Sequence, residues 1–181
     1  GLRVHMDGAR FANALVALEC TSAEMTWRAG VDILSFGATK NGTMTAEAIV
    51  SFDPSLSTEL AFRHKRGGQL TSKMRFQSAQ LVAYLENDLW LRRARTANDM
   101  AARLRDGLRP IGGIEVVGDA SANMSYFRFP AALTQALHDR GFTFYDDRWE
   151  PGVVRLVTSF AHTTRDVDVF LDAVRELAVI D

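Results

Sequence analysis

The sequence contains one cysteine, four prolines and almost no surplus of either charge. A lone thiol, Cys20, excludes an internal disulfide, and it falls in a predominantly apolar helical stretch where a buried, unreactive role is expected. A reducing, cytoplasmic setting fits that usage. Lysine and arginine total 21 against 22 acidic residues, so no general attraction to polyanions or membrane surfaces is implied. No aromatic-plus-basic arrangement suggests nucleic-acid binding, and no His, Cys or carboxylate set has metal-ligand spacing. Apolar runs stop well short of the roughly 18 residues of a membrane span. Internal repeats and low-complexity segments are lacking as well.

Against that background two stretches stand out. Leu2 to Met6 is a β-prone run, Asp7 follows it, Gly8 permits a tight exit, and Arg10 to Val16 opens a helical pattern. Asp7 is therefore expected at the carboxyl end of a strand. Thr21-Ser22-Ala23-Glu24 has capping-box spacing and predicts a short helix that Gly30 closes. Val31 to Phe36 is apolar except for Asp32 and Ser35, the pattern of a strand buried on both faces, and it ends in Gly37-Ala38-Thr39-Lys40-Asn41-Gly42. Strand, helix and strand make a parallel unit with Asp7 and Lys40 at one edge of the sheet. In open α/β sheets, ligands bind beyond that carboxyl edge.

Further along, Thr45 to Phe52 reads as an edge strand broken by Asp53-Pro54, and Leu56 to Arg66 is helix-like up to Gly67-Gly68. From Leu70 to Leu108 the apolar spacing predicts one long helix, or two with a bend near Glu86-Asn87-Asp88. Beyond Gly112-Gly113 come strand-like runs at Gly113 to Val117 and Met124 to Phe129, then a helical run from Ala131 to Arg140. Phe142 to Asp147 is a third candidate strand and Val153 to Phe160 a fourth. Thr163-Thr164-Arg165-Asp166 caps a final amphipathic helix.

Four blocks, in this order, carry a specific resemblance. They are His5-Met6-Asp7-Gly8-Ala9-Arg10, Ser35-Phe36-Gly37-Ala38-Thr39-Lys40-Asn41-Gly42, Gly68-Gln69-Leu70-Thr71-Ser72-Lys73-Met74-Arg75-Phe76, and Val153-Val154-Arg155-Leu156-Val157-Thr158. With them the chain resembles the carboxyl-terminal part of the low-specificity L-threonine aldolases, fold-type-I pyridoxal-phosphate enzymes of the aromatic amino acid beta-eliminating lyase/threonine aldolase family. The resemblance implies an α/β fold: part of the large domain of a fold-type-I pyridoxal-phosphate-dependent transferase, with a mostly parallel sheet, plus a small α+β carboxyl-terminal domain. The expected divisions are residues 1–69 for the cofactor-binding part, 70–110 for connecting helices and 111–181 for the small domain. The first residue is glycine, and the resemblance implies a further amino-terminal segment that supplies the phosphate loop and the ring stacked on the cofactor.

The implied reaction is cleavage of L-threonine, L-allo-threonine and related β-hydroxy-α-amino acids to glycine and an aldehyde, with pyridoxal 5'-phosphate as cofactor. Lys40 would bond to the cofactor aldehyde; an amine must be neutral to do so, and a partly desolvated pocket favours that form. On residues alone Lys40 also reads as a solvated loop lysine. Asp7 would face the pyridine nitrogen and keep it protonated, although an Asx turn or helix cap suits the same position. Ala9 would pack under the ring, and Thr39 would touch the cofactor. Arg10 and Arg155 would bind the substrate carboxylate through parallel N–H donors; a structural salt bridge is the other reading of Arg155. His5, two residues before Asp7 on one strand face, either supports it or is structural. Lys65, Lys73 and Arg75 read as a solvated basic turn or as residues approaching the site, from the partner subunit in one version. The resemblance further implies a homodimer or homotetramer with active sites at subunit interfaces. One fold hosts many chemistries, so an aminotransferase or a β-eliminating lyase stays open, as does a truncated, non-catalytic fragment with a dimerising role.

Overall fold

Arg3 ties together the strand ends at one side of the first sheet. In the computed structural model, which describes residues 1–119 and 121–178, the chain divides into two units, Gly1–Arg93 and Ala94–Asp181. In the first, the Val4 amide donates to Asp32 at 2.8 Å, and Arg3 pairs with Asp32 and with Asp53. The Val4 amide, followed by the Arg3 guanidinium, holds the Asp32 carboxyl below its usual range.

With those ends fixed, β1 (His5–Gly8) and β2 (Ile33–Gly37) run parallel, with Asp7 opposite Ser35. The edge strand β3 (Glu47–Ser51) pairs with β2 antiparallel, Ser35 opposite Ile49. Alternation sorts the side chains. Met6, Leu34, Phe36, Ala48 and Val50 face a core made with Phe11 and Leu15 of α1 (Phe11–Leu18), Tyr84 of α4 (Arg75–Leu85) and Trp90 of α5 (Leu89–Leu108). His5, Asp7, Ser35 and Ile49 lie on the other face. The strand expected to be buried on both sides is therefore packed on one: Leu34 is buried, while Ile33 and Ser35 are half-buried.

The capping box at Thr21 and Glu24 forms with both arms and opens α2 (Ser22–Met25). Cys20 lies past the end of α1, beyond the left-handed Glu19, and not within the helix; it is partly buried against the apolar cluster. After α3 (Ser57–Arg66) the helical stretch expected from Leu70 begins only at Arg75, because Lys73 adopts a left-handed conformation with φ of 68°. The two-helix alternative holds between α4 and α5, where Asn87 and Asp88 have φ of 51° and 56° and break the ladder.

In the second unit β4 (Glu115–Val117), β5 (Met124–Arg128) and β6 (Val153–Val157) form an antiparallel sheet in that order. Phe127, Val154 and Leu156 pack with Leu104 and Leu108 of α5, with Leu133 and Leu137 of α6 (Ala131–Asp139), and with Val167, Leu171 and Val174 of α7 (Thr164–Ala178). Burial of each such side chain contributes roughly 1.5–3 kcal/mol. Thr163 and Asp166 bond reciprocally at the start of α7: the Thr163 amide donates to the Asp166 carboxylate at 2.7 Å and the Asp166 amide to the Thr163 hydroxyl at 3.3 Å.

Phe142 to Asp147 is not a strand. It alternates as one would, with Phe142 and Phe144 packed inward against Phe170. But the Phe142 amide bonds to Leu137 and its carbonyl faces the His138 ring, so α6 takes the groups a sheet would need. One isolated bridge, Tyr145 to Arg155, remains. Among the described residues no helix is long and apolar enough to cross a membrane.

Candidate active site

The carboxyl ends of β1 and β2 come together through glycine. A Cβ at Gly37 would lie 2.7 Å from the Ala9 Cα and 2.8 Å from the Gly8 carbonyl oxygen, so Ala9 packs directly on the Gly37 backbone. The turn after Asp7 and the turn that carries Lys40 are thereby held together at one edge of the sheet. The Asx turn weighed for Asp7 is formed: its Oδ1 accepts from the Ala9 amide at 2.9 Å. His5 places Nε2 2.9 Å from the Ser35 hydroxyl, and Ser35 is the residue in register with Asp7. Arg10, half-buried, is the residue preceding α1, and its carbonyl accepts from the Ala14 amide at 3.1 Å.

Lys40 occupies the middle of a single 3₁₀ turn, Thr39–Asn41. Thr39 and Lys40 are exposed, so the described residues do not form the desolvated pocket expected around the lysine. The turn itself is held from behind. Asn41, 4% exposed, donates to the Tyr84 hydroxyl at 2.7 Å and to the Trp90 carbonyl at 2.8 Å. Glu47 accepts from the Ala38 and Thr39 amides at 3.2 and 3.0 Å. Burial pushes the Tyr84 phenol above its ordinary pKa. None of Asn41, Glu47 and Tyr84 was singled out by sequence reasoning, although Asn41 and Glu47 lie within seven residues of Lys40.

An open apolar cleft of about 510 Å³ in the same unit, bordered by Phe11, Leu34, Val50, Leu85 and Trp90, lies on the opposite face of the sheet from Asp7. Lys65 lies in the last turn of α3, Lys73 sits in the following loop and Arg75 begins α4 with its guanidinium 5.1 Å from the Phe76 ring; all three are exposed.

Arg155 belongs to the second unit. It projects from the middle of β6, with its guanidinium carbon 4.7 Å from the centre of the Tyr145 ring and 5.4 Å from that of Trp149. Trp149 is in turn edge-on to Tyr126 at 5.1 Å. Nε of Arg155 is buried without a hydrogen-bond partner among the described residues. No carboxylate pairs with Arg155 among them, so the salt-bridge reading has no acid to rest on. The aromatic frame of Tyr145 and Trp149 gave no local signal, because it depends on a loop folding back on β6.

Comparison with known proteins bears on this arrangement. The model of the beta-eliminating lyases matches residues 1–130. The chain belongs to the beta-eliminating lyase family. Two curated members similar to it are both named low specificity L-threonine aldolase. One, from Pseudomonas sp. (strain NCIMB 10558), is 46% identical over 145 residues, covering 80% of this chain and 42% of the relative. The other, from Pseudomonas aeruginosa, is 41% identical over 178 residues, covering 98% and 49%. The chain thus spans at most about half the length of these relatives. A solved threonine aldolase from Leishmania major superposes with a TM-score of 0.89 at 26% identity, over 98% of this chain and 52% of that one. As a family member the chain has the α/β architecture of the fold-type-I pyridoxal-phosphate enzymes.

Proposed function

We propose that this chain forms the carboxyl-terminal share of a pyridoxal-phosphate-dependent aldolase that cleaves L-threonine and related β-hydroxy-α-amino acids to glycine and an aldehyde. The observation that carries the reading is the pairing of β1 and β2, with a carboxylate leaving one strand end, a lysine leaving the other, and the two turns held together by the close approach of Ala9 to Gly37. The similarity to curated low specificity L-threonine aldolases supports the choice of reaction.

These residues fit the group. Gly37 lets the Ala9 backbone pack against it, and Ala9 is half-buried with only a methyl for a side chain, so a flat ring could lie over it. Pyridoxal phosphate, when bound, supplies an electrophilic aldehyde and a ring that takes up the electron pair left when a bond at Cα breaks. Asp7 would hold a proton on the ring nitrogen, and Thr39 would flank the ring. Lys40 would supply the amine at the aldehyde end. Arg10 and Arg155 would each offer a guanidinium to the substrate carboxylate, which fixes the bond to be cleaved. The Tyr145 and Trp149 rings cover the flank of Arg155 and favour binding through its terminal nitrogens. His5 would act through Ser35. Threonine is accounted for in full by glycine plus acetaldehyde, with one proton leaving the β-hydroxyl and one arriving at Cα.

Self-association is part of the proposal, as a homodimer or homotetramer in a cytoplasmic setting. Phe62, Leu70, Phe76 and Val82, on or beside α3 and α4, are 56–66% exposed and supply an apolar surface for it. Lys65, Lys73 and Arg75 on the same segment would then be presented to a neighbouring subunit. The test is absorbance of the chain with pyridoxal phosphate, beside Lys40→Ala, followed by product analysis with threonine. A visible-edge band that requires Lys40, with glycine and aldehyde in equal amounts, is the expected result. Keto acid or ammonia in place of the aldehyde would assign an aminotransferase or a β-eliminating lyase.

A further inference from the structure

We propose that Tyr84, acting through Asn41, and Glu47 are positioning residues that fix the turn from which Lys40 projects. The proposal rests on the reading of Lys40 as the amine that holds the cofactor. A lone 3₁₀ turn has too few hydrogen bonds to keep its own shape, so the conformation at Lys40 must come from its neighbours. They restrain it on both sides.

On the carboxyl side, both hydrogens of the Asn41 amide are used, one by the Tyr84 hydroxyl at 2.7 Å and one by the Trp90 carbonyl at 2.8 Å. Tyr84 is 2% exposed and packs against Phe36 and Trp90 with ring centres 6.1 and 6.4 Å away, so its hydroxyl is a fixed point. Gly42, at φ of 118°, donates its amide back to Thr39 at 3.3 Å and its carbonyl accepts from Arg93 at 3.1 Å. On the amino side, the Glu47 carboxylate spans two successive amides, those of Ala38 and Thr39. Glu47 comes from β3, in register with Gly37, and so ties the turn to the sheet.

Lys40 therefore sits between two anchored points with its own side chain in solvent. A lysine side chain has four free torsions, and fixing its Cα limits where the amine can reach. That is how orientation raises the effective concentration of a reacting group. Tyr84 lies 43 residues from Asn41, and the long α4 places it under the turn.

The chain itself supplies a clean readout, because its three lysines are Lys40, Lys65 and Lys73. The full 181-residue chain is incubated with pyridoxal phosphate, reduced with borohydride and mapped by peptide mass, alongside Tyr84→Phe and Glu47→Gln. The label is expected to concentrate on Lys40 in the parent chain. Tyr84→Phe should lower the Lys40 share at least about fivefold, well inside the roughly hundredfold that a 1 Å misplacement can cost. Glu47→Gln should lower it in the same direction, and the Lys65 and Lys73 labels should stay constant in both. A lowered unfolding midpoint with an unchanged Lys40 share would mean that these bonds are merely structural and would overturn the proposal. Equal labelling of all three lysines in the parent chain would instead overturn the reading of Lys40 itself. Should Tyr84→Phe fail to fold, the exposed Glu47→Gln decides alone.

Discussion

His138 points Nε2 at the Asp146 carboxylate, 3.1 Å away, while Nδ1 lies 2.9 Å from the Phe142 carbonyl oxygen. Neither partner can donate, so the arrangement is satisfied by the imidazolium with a proton on each nitrogen. The Phe142 carbonyl, then Asp146, hold the ring's pKa above its ordinary value, with Asp139 adding to them. A group whose folded pKa is raised contributes stability below its unfolded pKa and loses it as pH rises through the folded value. The chain should therefore lose stability from about pH 6.5 upward, by no more than about fivefold in the folding equilibrium, the scale of a partly exposed ion pair. Urea unfolding of the parent chain and His138→Gln across this range measures it; parallel stability curves would refute the assignment.

Gly37→Ala should be costly. The new methyl would meet backbone atoms of Gly8 and Ala9, which cannot rotate aside as a side chain could. Overpacking of this kind costs about 1–3 kcal/mol. Denaturant midpoints would show the loss, and a neutral result would mean that β1 and β2 separate more easily than their register suggests.

Thr163→Ala removes the hydroxyl that accepts from the Asp166 amide ahead of α7. Loss of such a cap costs about 0.5–2 kcal/mol, or several degrees of melting temperature for a chain of this size. Thermal unfolding checks it, with Thr163→Ser expected to retain most of the stability.

Arg155→Lys keeps the charge but loses the planar fork that stacks on Tyr145 and Trp149. If Arg155 binds the substrate carboxylate, half-saturation of the cofactor-loaded chain by glycine should rise roughly ten- to a hundredfold, the scale of one charged hydrogen bond. A lysine variant that binds glycine as tightly as the parent would remove Arg155 from that role.

What could be seen in the sequence was local. Gly8 after Asp7, the Thr21 and Thr163 boxes and the glycines around Lys40 are signals within a few residues, and each appears in the fold where it was expected. The direction of β3 was not visible, because periodicity reports which face is buried and not which way a strand runs. Phe142 to Asp147 misled for a related reason. Its alternation is real, but His138 and Leu137 hold the Phe142 peptide groups before any strand can. Tyr84 under Asn41, and Tyr145 over Arg155, are tertiary pairings with no sequence spacing to betray them.

Among the described residues β1 has a neighbour on one side only. Its outer edge is a row of amides and carbonyls ready to accept another strand, and the row ends at Asp7 and Gly8. Whatever lengthens the sheet there also decides how much water the Asp7 carboxylate keeps. Growth of the sheet and the chemistry of its carboxyl edge are thus joined through a four-residue strand.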